Sequence, residues 1–279
     1  MRLLIAFVMA SCVAASAQTG LPPLPKLTSP RLYVLDCGTI ISHEPERFGL
    51  TRQDVSDPDF SDPCFLVMHP KGILLFDTGL TDAQVGRPIY ENKNGYEGLL
   101  KTTTLKGELA NIGVTADKIT YLAISHSHWD HVGNANAYAG STWLARKAEY
   151  DVMFDASANA AAKSNYAALA HARIQYVEGD HDVFGDGSVV LLSTPGHTPG
   201  HQSLYVKLTN TGGVVVSGDL YHYPAEQRLG KMPARELTAG TPGSRKKIDD
   251  FLARSHSQLW IGHSIDWYRD AVKSPGWYD

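Results

Sequence analysis

The chain has 279 residues with 25 Lys+Arg against 29 Asp+Glu, a net charge of −4 that offers no basic footprint for nucleic acid or an anionic membrane. At 43% hydrophobic and 19% charged residues it is composed as an ordinary globular protein, which sets aside disorder and fibrous folds. After residue 17 no segment reaches the roughly 18 consecutive apolar residues of a membrane span, and the length suits one large domain or two small ones.

Residues 1–17 read as a secretory signal. Arg2 supplies the positive start, Leu3 to Val13 the short apolar stretch, and Ala15-Ser16-Ala17 the small-residue cleavage site. A lipoprotein anchor at Cys12 is the minor alternative, because the apolar stretch before it is short. The expected product is periplasmic or secreted, cut near Ala17, and free of the membrane once the signal is removed. Residues 18–30 form a Pro-rich lead. Of the three cysteines only Cys37 and Cys64 then remain, each at a strand edge, where they form either a disulfide or two separate buried thiols.

From residue 31 onward, short apolar runs bounded by turn residues alternate with longer polar stretches. Strands are expected at Arg31–Leu35, Cys64–Met68, Gly72–Phe76, Tyr121–Ser125, Ser141–Ala145, Val189–Ser193, Gln202–Lys207, Val214–Ser217 and Leu259–Gly262. Hairpin turns are expected at residues 69–72 and at Gly212-Gly213. Helices are expected at Lys101–Ile112, at the Ala-rich Ala156–Ala172 and at Ser244–Ser255, the last introduced by Thr241-Pro242-Gly243. The first half is strand-rich and ends in a helix and a strand, and the second half repeats that order. An α+β domain over 31–279, with two mixed sheets and outer helices, fits this best.

The twelve histidines carry the chemistry. His126-Ser127-His128-Trp129-Asp130-His131 follows the apolar run Tyr121–Ile124 directly. Three imidazoles and a carboxylate in six positions are costly to bury unpaired, and a cation satisfies them. In an extended turn His126 and His128 point the same way and can share one ion, while Asp130 and His131 face a neighbouring one. A histidine-bearing loop without metal is the bland alternative. Three further apolar runs argue against it, because each ends in a potential ligand: Leu191 to His197, Val214 to Asp219, and Leu259 to His263.

This order, HxHxDH and then His, Asp and His, resembles the metallo-β-lactamase superfamily of dinuclear hydrolases over nearly the whole mature chain. Within it, residues 194–204 and 261–265 look most like the N-acyl-homoserine lactone lactonases. The resemblance implies an αβ/βα four-layer sandwich with one ion on His126, His128 and His197 and a second on Asp130, His131 and His263. Asp219 then bridges the two. Zinc is the expected metal, and manganese, iron or cobalt suit the same donors. His201 falls in the motif as a supporting residue rather than a ligand. Asp77 is expected to orient a ligand histidine or the HxHxDH loop. His43, His69, His171, His181 and His256 have no such context and are expected at the surface.

The expected activity is opening of an acyl-homoserine lactone, which is quorum quenching, through attack by a hydroxide shared by ions about 3.5–4 Å apart. Asp130 holds the nucleophile and returns a proton to the leaving alkoxide. The lactonases commonly carry a tyrosine three positions beyond the bridging aspartate, where this chain has His222. Either His222 donates the equivalent hydrogen bond, or Tyr221 or Tyr223 turns in, or all three only wall the pocket. The remaining walls are expected from residues 41–62 and 80–100. The expected partner is a small lactone or ester, acting on a monomer or homodimer. The rival readings are a periplasmic metallo-β-lactamase, a phosphotriesterase of the same fold, and a metal-binding protein without turnover.

Overall fold

A computed structural model describes residues 21, 23–88, 96–158 and 160–279; the expected signal segment lies outside them. Among the described residues twelve strands form two sheets. The first contains β1 (Arg31–Ile41), β2 (Phe60–His69), β3 (Gly72–Phe76), β4 (Gly98–Leu100), β5 (Tyr121–Ala123), β6 (Thr142–Ala145) and β7 (Arg173–Tyr176), in the order β4-β1-β2-β3-β5-β6-β7. The second contains β8 (His181–Asp182), β9 (Val189–Ser193), β10 (Gln202–Leu208), β11 (Gly212–Val216) and β12 (Gln258–Trp260), in the order β12-β11-β10-β9-β8. Both are mixed: β3, β5, β6 and β7 run parallel, as do β11 and β12, and the other pairs are antiparallel.

Apolar residues on alternate positions separate the layers. Leu32, Val34, Phe65, Val67, Leu74 and Phe76 of the first sheet meet Leu191, Leu204, Val206, Val214 and Val216 of the second in one buried cluster. The opposite face of the first sheet, with Leu35, Leu66, Leu75 and Trp143, packs on α1 (Leu105–Asn111), α2 (Lys147–Phe154) and α3 (Ala160–Tyr166). The outer face of the second sheet, with Leu192, Tyr205 and Val215, packs on Ile248 of α5 (Thr241–Ser255). Helix, sheet, sheet, helix is the expected four-layer sandwich. Two further helices, α4 (Pro224–Leu229) and α6 (Ile265–Asp270), follow β11 and β12. Among the described residues, no helix is long and apolar enough to cross a membrane.

Several expectations need correction. The expected helix over 156–172 begins only at Ala160 and gives way to a 3-10 turn at Ala167–His171, while α2 precedes it unannounced. Asp155 separates the two helices, its side chain accepting from Ser157 N at 2.7 Å, a local alternative to helical pairing. Helix α1 begins at Leu105 rather than Lys101, because Thr104 caps it through Gly107 N at 2.9 Å. The two-residue turn at 70–71 is as expected, but Gly212-Gly213 opens β11, with the turn at the three preceding residues. His69 is not at the surface: its ring stacks on Phe184 with centroids 4.1 Å apart, and its Nε2 lies 3.0 Å from Asp186. Cys37 and Cys64 are joined by a disulfide, which resolves the alternative left open by the sequence.

Candidate metal centre

The ends of β5, β9, β11 and β12 deliver the candidate ligands to one place between the sheets. His126, His128, His197 and Asp219 form one group and Asp130, His131 and His263 a second, the ligand atoms within each lying within 4.8 Å of one another. All seven residues expected as ligands are therefore brought together. Asp219 stands at the junction. Its Oδ2 is 3.4 Å from His126 Nε2 and 3.3 Å from His197 Nε2, and its Oδ1 is 3.0 Å from His131 Nε2 and 3.1 Å from His263 Nε2.

These donors suit divalent cations. His126 Nε2, His131 Nε2 and Asp219 Oδ1 are buried and complete no hydrogen bond among the described residues, an arrangement that folding alone leaves costly. Nε2 of His197 and Nδ1 of His128 converge to 2.9 Å. Imidazole nitrogens with carboxylate oxygens are the donor set of zinc and similar ions.

The charge distribution is set by the shared aspartate. Burial acts to raise the Asp219 carboxyl, but His263, His131, His126 and His222 together hold it well below the usual carboxylate range. Burial disfavours a charged His263, yet Asp219 pushes it up to about 9; against the same cost, Asp219 and Glu236 push His197 up to about 9. Burial pushes His126 and His128 well below 6.5. Metal binding to such a cluster displaces protons from the raised histidines.

A second set of side chains fixes the ligands. Asp77, in the left-handed conformation just past β3, accepts from Ser125 N at 2.6 Å and faces His131 Nδ1 at 2.9 Å, the orienting role expected of it. His201 is also a supporting residue: its Nε2 accepts from Asp219 N at 3.0 Å, and burial pushes it down to about 3. Two carboxylates escaped the sequence reading. Glu236 faces His197 Nδ1 at 2.8 Å, and Glu149 accepts from Ser127 N at 2.7 Å, Thr198 Oγ1 at 2.7 Å and Gly200 N at 2.9 Å. Their partners lie 22 to 51 residues away, so no local spacing announces them. In the same loop Gly196 is required, since a Cβ there would stand 2.2 Å from Thr241 N at the start of α5.

Above the ligands a cavity of about 510 Å³ opens to solvent, with His128, Asp130, His197, Asp219 and His222 on its floor and walls. Arg47 and Phe48 reach it from the first expected loop and Tyr96 from the second, joined by Trp129 and Arg235. Residues 89–95 of the second loop lie outside the described residues. His222 is held with Nε2 3.2 Å from Asp219 Oδ2 and Nδ1 3.5 Å from Glu226 Oε2, its ring against Phe48 with centroids 4.3 Å apart. Tyr221 does not reach the cavity. The extended chain at that position turns it outward against α5, where the Arg245 guanidinium lies 4.2 Å from its ring centre. Tyr223 is likewise turned away, its hydroxyl donating to Pro58 O at 2.6 Å.

The comparisons with known proteins agree with this geometry. Residues 58–259 match the family model described as the metallo-beta-lactamase superfamily. The chain is 26% identical over 276 residues to N-acyl homoserine lactonase AttM of Azorhizobium caulinodans, covering 91% of this chain and all of that protein. A solved N-acyl homoserine lactone hydrolase, with N-hexanoyl-L-homoserine at its catalytic metal centre, shares the fold with a TM-score of 0.74 at 23% identity, over 90% of this chain and all of that one. The dizinc quorum-quenching lactonase AidC does so with a TM-score of 0.64 at 19% identity, over 93% of this chain and 97% of that one. With most of its length matched by the family model and its histidines and aspartates assembled where the sheets meet, the chain belongs to the metallo-β-lactamase superfamily.

Proposed function

We propose that this chain is an exported hydrolase that holds two divalent ions, zinc by default, and opens the lactone ring of N-acyl-homoserine lactones. The observation that carries the reading is the joining of two ligand groups through one buried aspartate at the floor of an open cavity. Lactonases among its sequence relatives support the substrate class, and a dizinc lactonase among its structural relatives supports the metal count. Export is supported by the N-terminal sequence and by the Cys37–Cys64 disulfide, a bond that persists in oxidising compartments.

In this reading His126, His128 and His197 hold one ion, Asp130, His131 and His263 the other, and Asp219 both. When bound, the pair supplies Lewis acidity and lowers the pKa of water toward neutrality. The protein's own groups do the rest. Phe48, Tyr96 and Trp129 line the acyl chain and exclude water from the reacting carbonyl. His222, backed by Glu226, presents Nε2 at the cavity floor beside Asp219 and, once Asp219 is committed as a ligand, donates that N–H to the substrate oxygen on which charge develops. Asp130 faces the cavity and moves the proton from the attacking water to the leaving alkoxide, which completes ring opening without a side-chain nucleophile.

The test is to purify the mature chain, measure its metal content, and compare initial rates on an acyl-homoserine lactone, a cephalosporin and an aryl phosphotriester. The lactone is expected to turn over fastest, and chelation to abolish the rate. A lactone rate equal to that of the metal-stripped control, with turnover of either other substrate, overturns the assignment.

A further inference from the structure

The disulfide lies directly beneath one half of the metal centre. Cys37 sits where β1 shifts register between Asp36 and Thr39, and Cys64 is on β2; both side chains are fully buried. Against them rests Gly79, with φ +61, where a Cβ would stand 2.2 Å from Cys37 Cβ and 3.0 Å from both sulfur atoms. Only a residue without a side chain lets the turn at 77–80 seat on the bond.

That turn is pressed from its other side by the segment carrying His131. Thr78 N and Thr78 Oγ1 donate to His131 O at 2.8 and 3.0 Å, Gly133 N donates to Gly79 O at 2.9 Å, and Asn134 Nδ2 donates to Thr78 O and Leu80 O at 2.7 and 2.8 Å. Asp77 in the same turn fixes the His131 ring. The buried Lys101 ammonium reaches both Cys37 O at 3.2 Å and Leu80 O at 2.5 Å, joining the bonded strand to the turn. On β2, three residues before Cys64, Ser61 O faces His263 Nδ1 at 2.8 Å.

The other ligand group has its main supports elsewhere, although Asp77 of the turn also accepts from Ser125 N at 2.6 Å, just ahead of His126. Glu149 holds the Ser127 amide between His126 and His128, and Glu236 holds His197, through contacts that involve neither cysteine strand. The geometry therefore points to a selective role: the Cys37–Cys64 disulfide is a positioning element chiefly for the Asp130–His131–His263 ion, and the His126–His128–His197 ion, tied to the same turn by fewer bonds, depends on it less. The inference rests on reading the two groups as metal sites. It also links the compartment in which the chain oxidises to completion of its metal centre.

The experiment compares three full-length mature proteins by zinc titration with a competing chelator, well below each protein's own melting temperature. They are the disulfide-bonded wild type, the same sequence produced in a reducing compartment with two free thiols, and the Cys37→Ala/Cys64→Ala variant. The bonded protein is expected to take two ions per chain. The other two are expected to keep one with affinity little changed and to bind the second about 10–100-fold more weakly, the range seen when a ligand loses its support; equal weakening of both ions overturns the proposal. A bond that serves stability alone would lower the melting temperature while leaving both affinities equal across the three, and that result overturns the proposal. Binding of no zinc by any form instead overturns the metal reading beneath it. Should the thiol forms not fold, Gly79→Ala with the bond intact displaces the same turn; it is expected to weaken the second ion more than the first, and affinities that are unchanged or equally weakened there overturn the proposal.

Discussion

At the scale of single residues, the neighbours of Asp219 divide into those that face the cavity and those that do not. Tyr221 and His222 are adjacent in sequence, yet the extended backbone sends one against Arg245 and the other toward the ligands. The two substitutions should therefore behave differently. In the proposed reaction His222→Ala removes a donor aimed at developing charge, and kcat on the lactone is expected to fall about 10²–10³-fold, the cost typical of one lost donor of this kind. Metal content should not change, because His222 belongs to neither ligand group. Tyr221→Phe should keep kcat within about two-fold, since its ring packing survives and its hydroxyl lies outside the cavity. Parallel steady-state kinetics and metal analysis check both; an unchanged rate in His222→Ala would remove the imidazole from the chemistry.

At the scale of elements, α4 shows what supports His222 and what the sequence conceals. Glu226, fully buried, accepts from the His222 and Tyr223 amides just ahead of the helix, and its other oxygen accepts from Arg245 Nη2 of α5 at 2.8 Å. Burial acts to raise this carboxyl, but hydrogen bonding and charge from His222, then Arg245, hold it below 4.5 in the fold. A carboxyl depressed on folding binds fewer protons folded than unfolded, so its contribution is present above about pH 4.5 and is lost as pH falls through the folded value. Glu226→Gln should thus flatten the acid side of the stability profile. Glu226→Ala should cost about 3–5 kcal/mol at neutral pH by leaving the buried Arg245 charge without its carboxylate, with only the Leu220 and Lys231 carbonyls to accept from it. Urea melts between pH 3 and 7 measure both; an acid limb as steep in Glu226→Gln as in the wild type would exclude this source. Helix α4 was illegible because Pro224–Leu229 is too short for an apolar period, and Glu226 meets Arg245 across 19 residues. The seven candidate ligands were legible for the opposite reason: four fall in six consecutive positions, and the other three end apolar runs that could be recognised as strands. Short edge strands such as β4 and β8 offer no run long enough to alternate.

At the scale of the molecule, the ligands come from both halves, and the site lies across the seam between the two sheets. His126, His128, Asp130 and His131 follow β5 of the first sheet, whereas His197, Asp219 and His263 follow β9, β11 and β12 of the second. Direct bonds cross the seam at several points: Ser61 Oγ donates to Gly262 O at 2.7 Å, Gln202 N donates to Ser125 O at 2.9 Å, and Arg146 donates to Gln202 Oε1 and Leu191 O at 2.9 and 3.1 Å. The C-terminal tail adds another tie, pairing Tyr278 with Leu32 of β1 while Asp279 O accepts from Asn210 and Thr211 beyond β10. The metal pair proposed above, gripped from both sides, would bind the folded chain and not the unfolded one, and so raise stability by mass action. With one ion at about a thousand times its dissociation constant the gain is about 4 kcal/mol, and for a chain of this size each kcal/mol moves the melting temperature by about 2–4 °C. Chelation should therefore lower the melting temperature by on the order of 10 °C. It should do so in a single transition, because the inter-sheet cluster from Leu32 to Trp260 loses its packing whichever half opens first. Calorimetry before and after verified metal removal reads this directly. Separation into two transitions would show that the halves unfold independently and that the metals sit on one of them, while an unchanged melting temperature would show that the ligands do not grip metal across the seam.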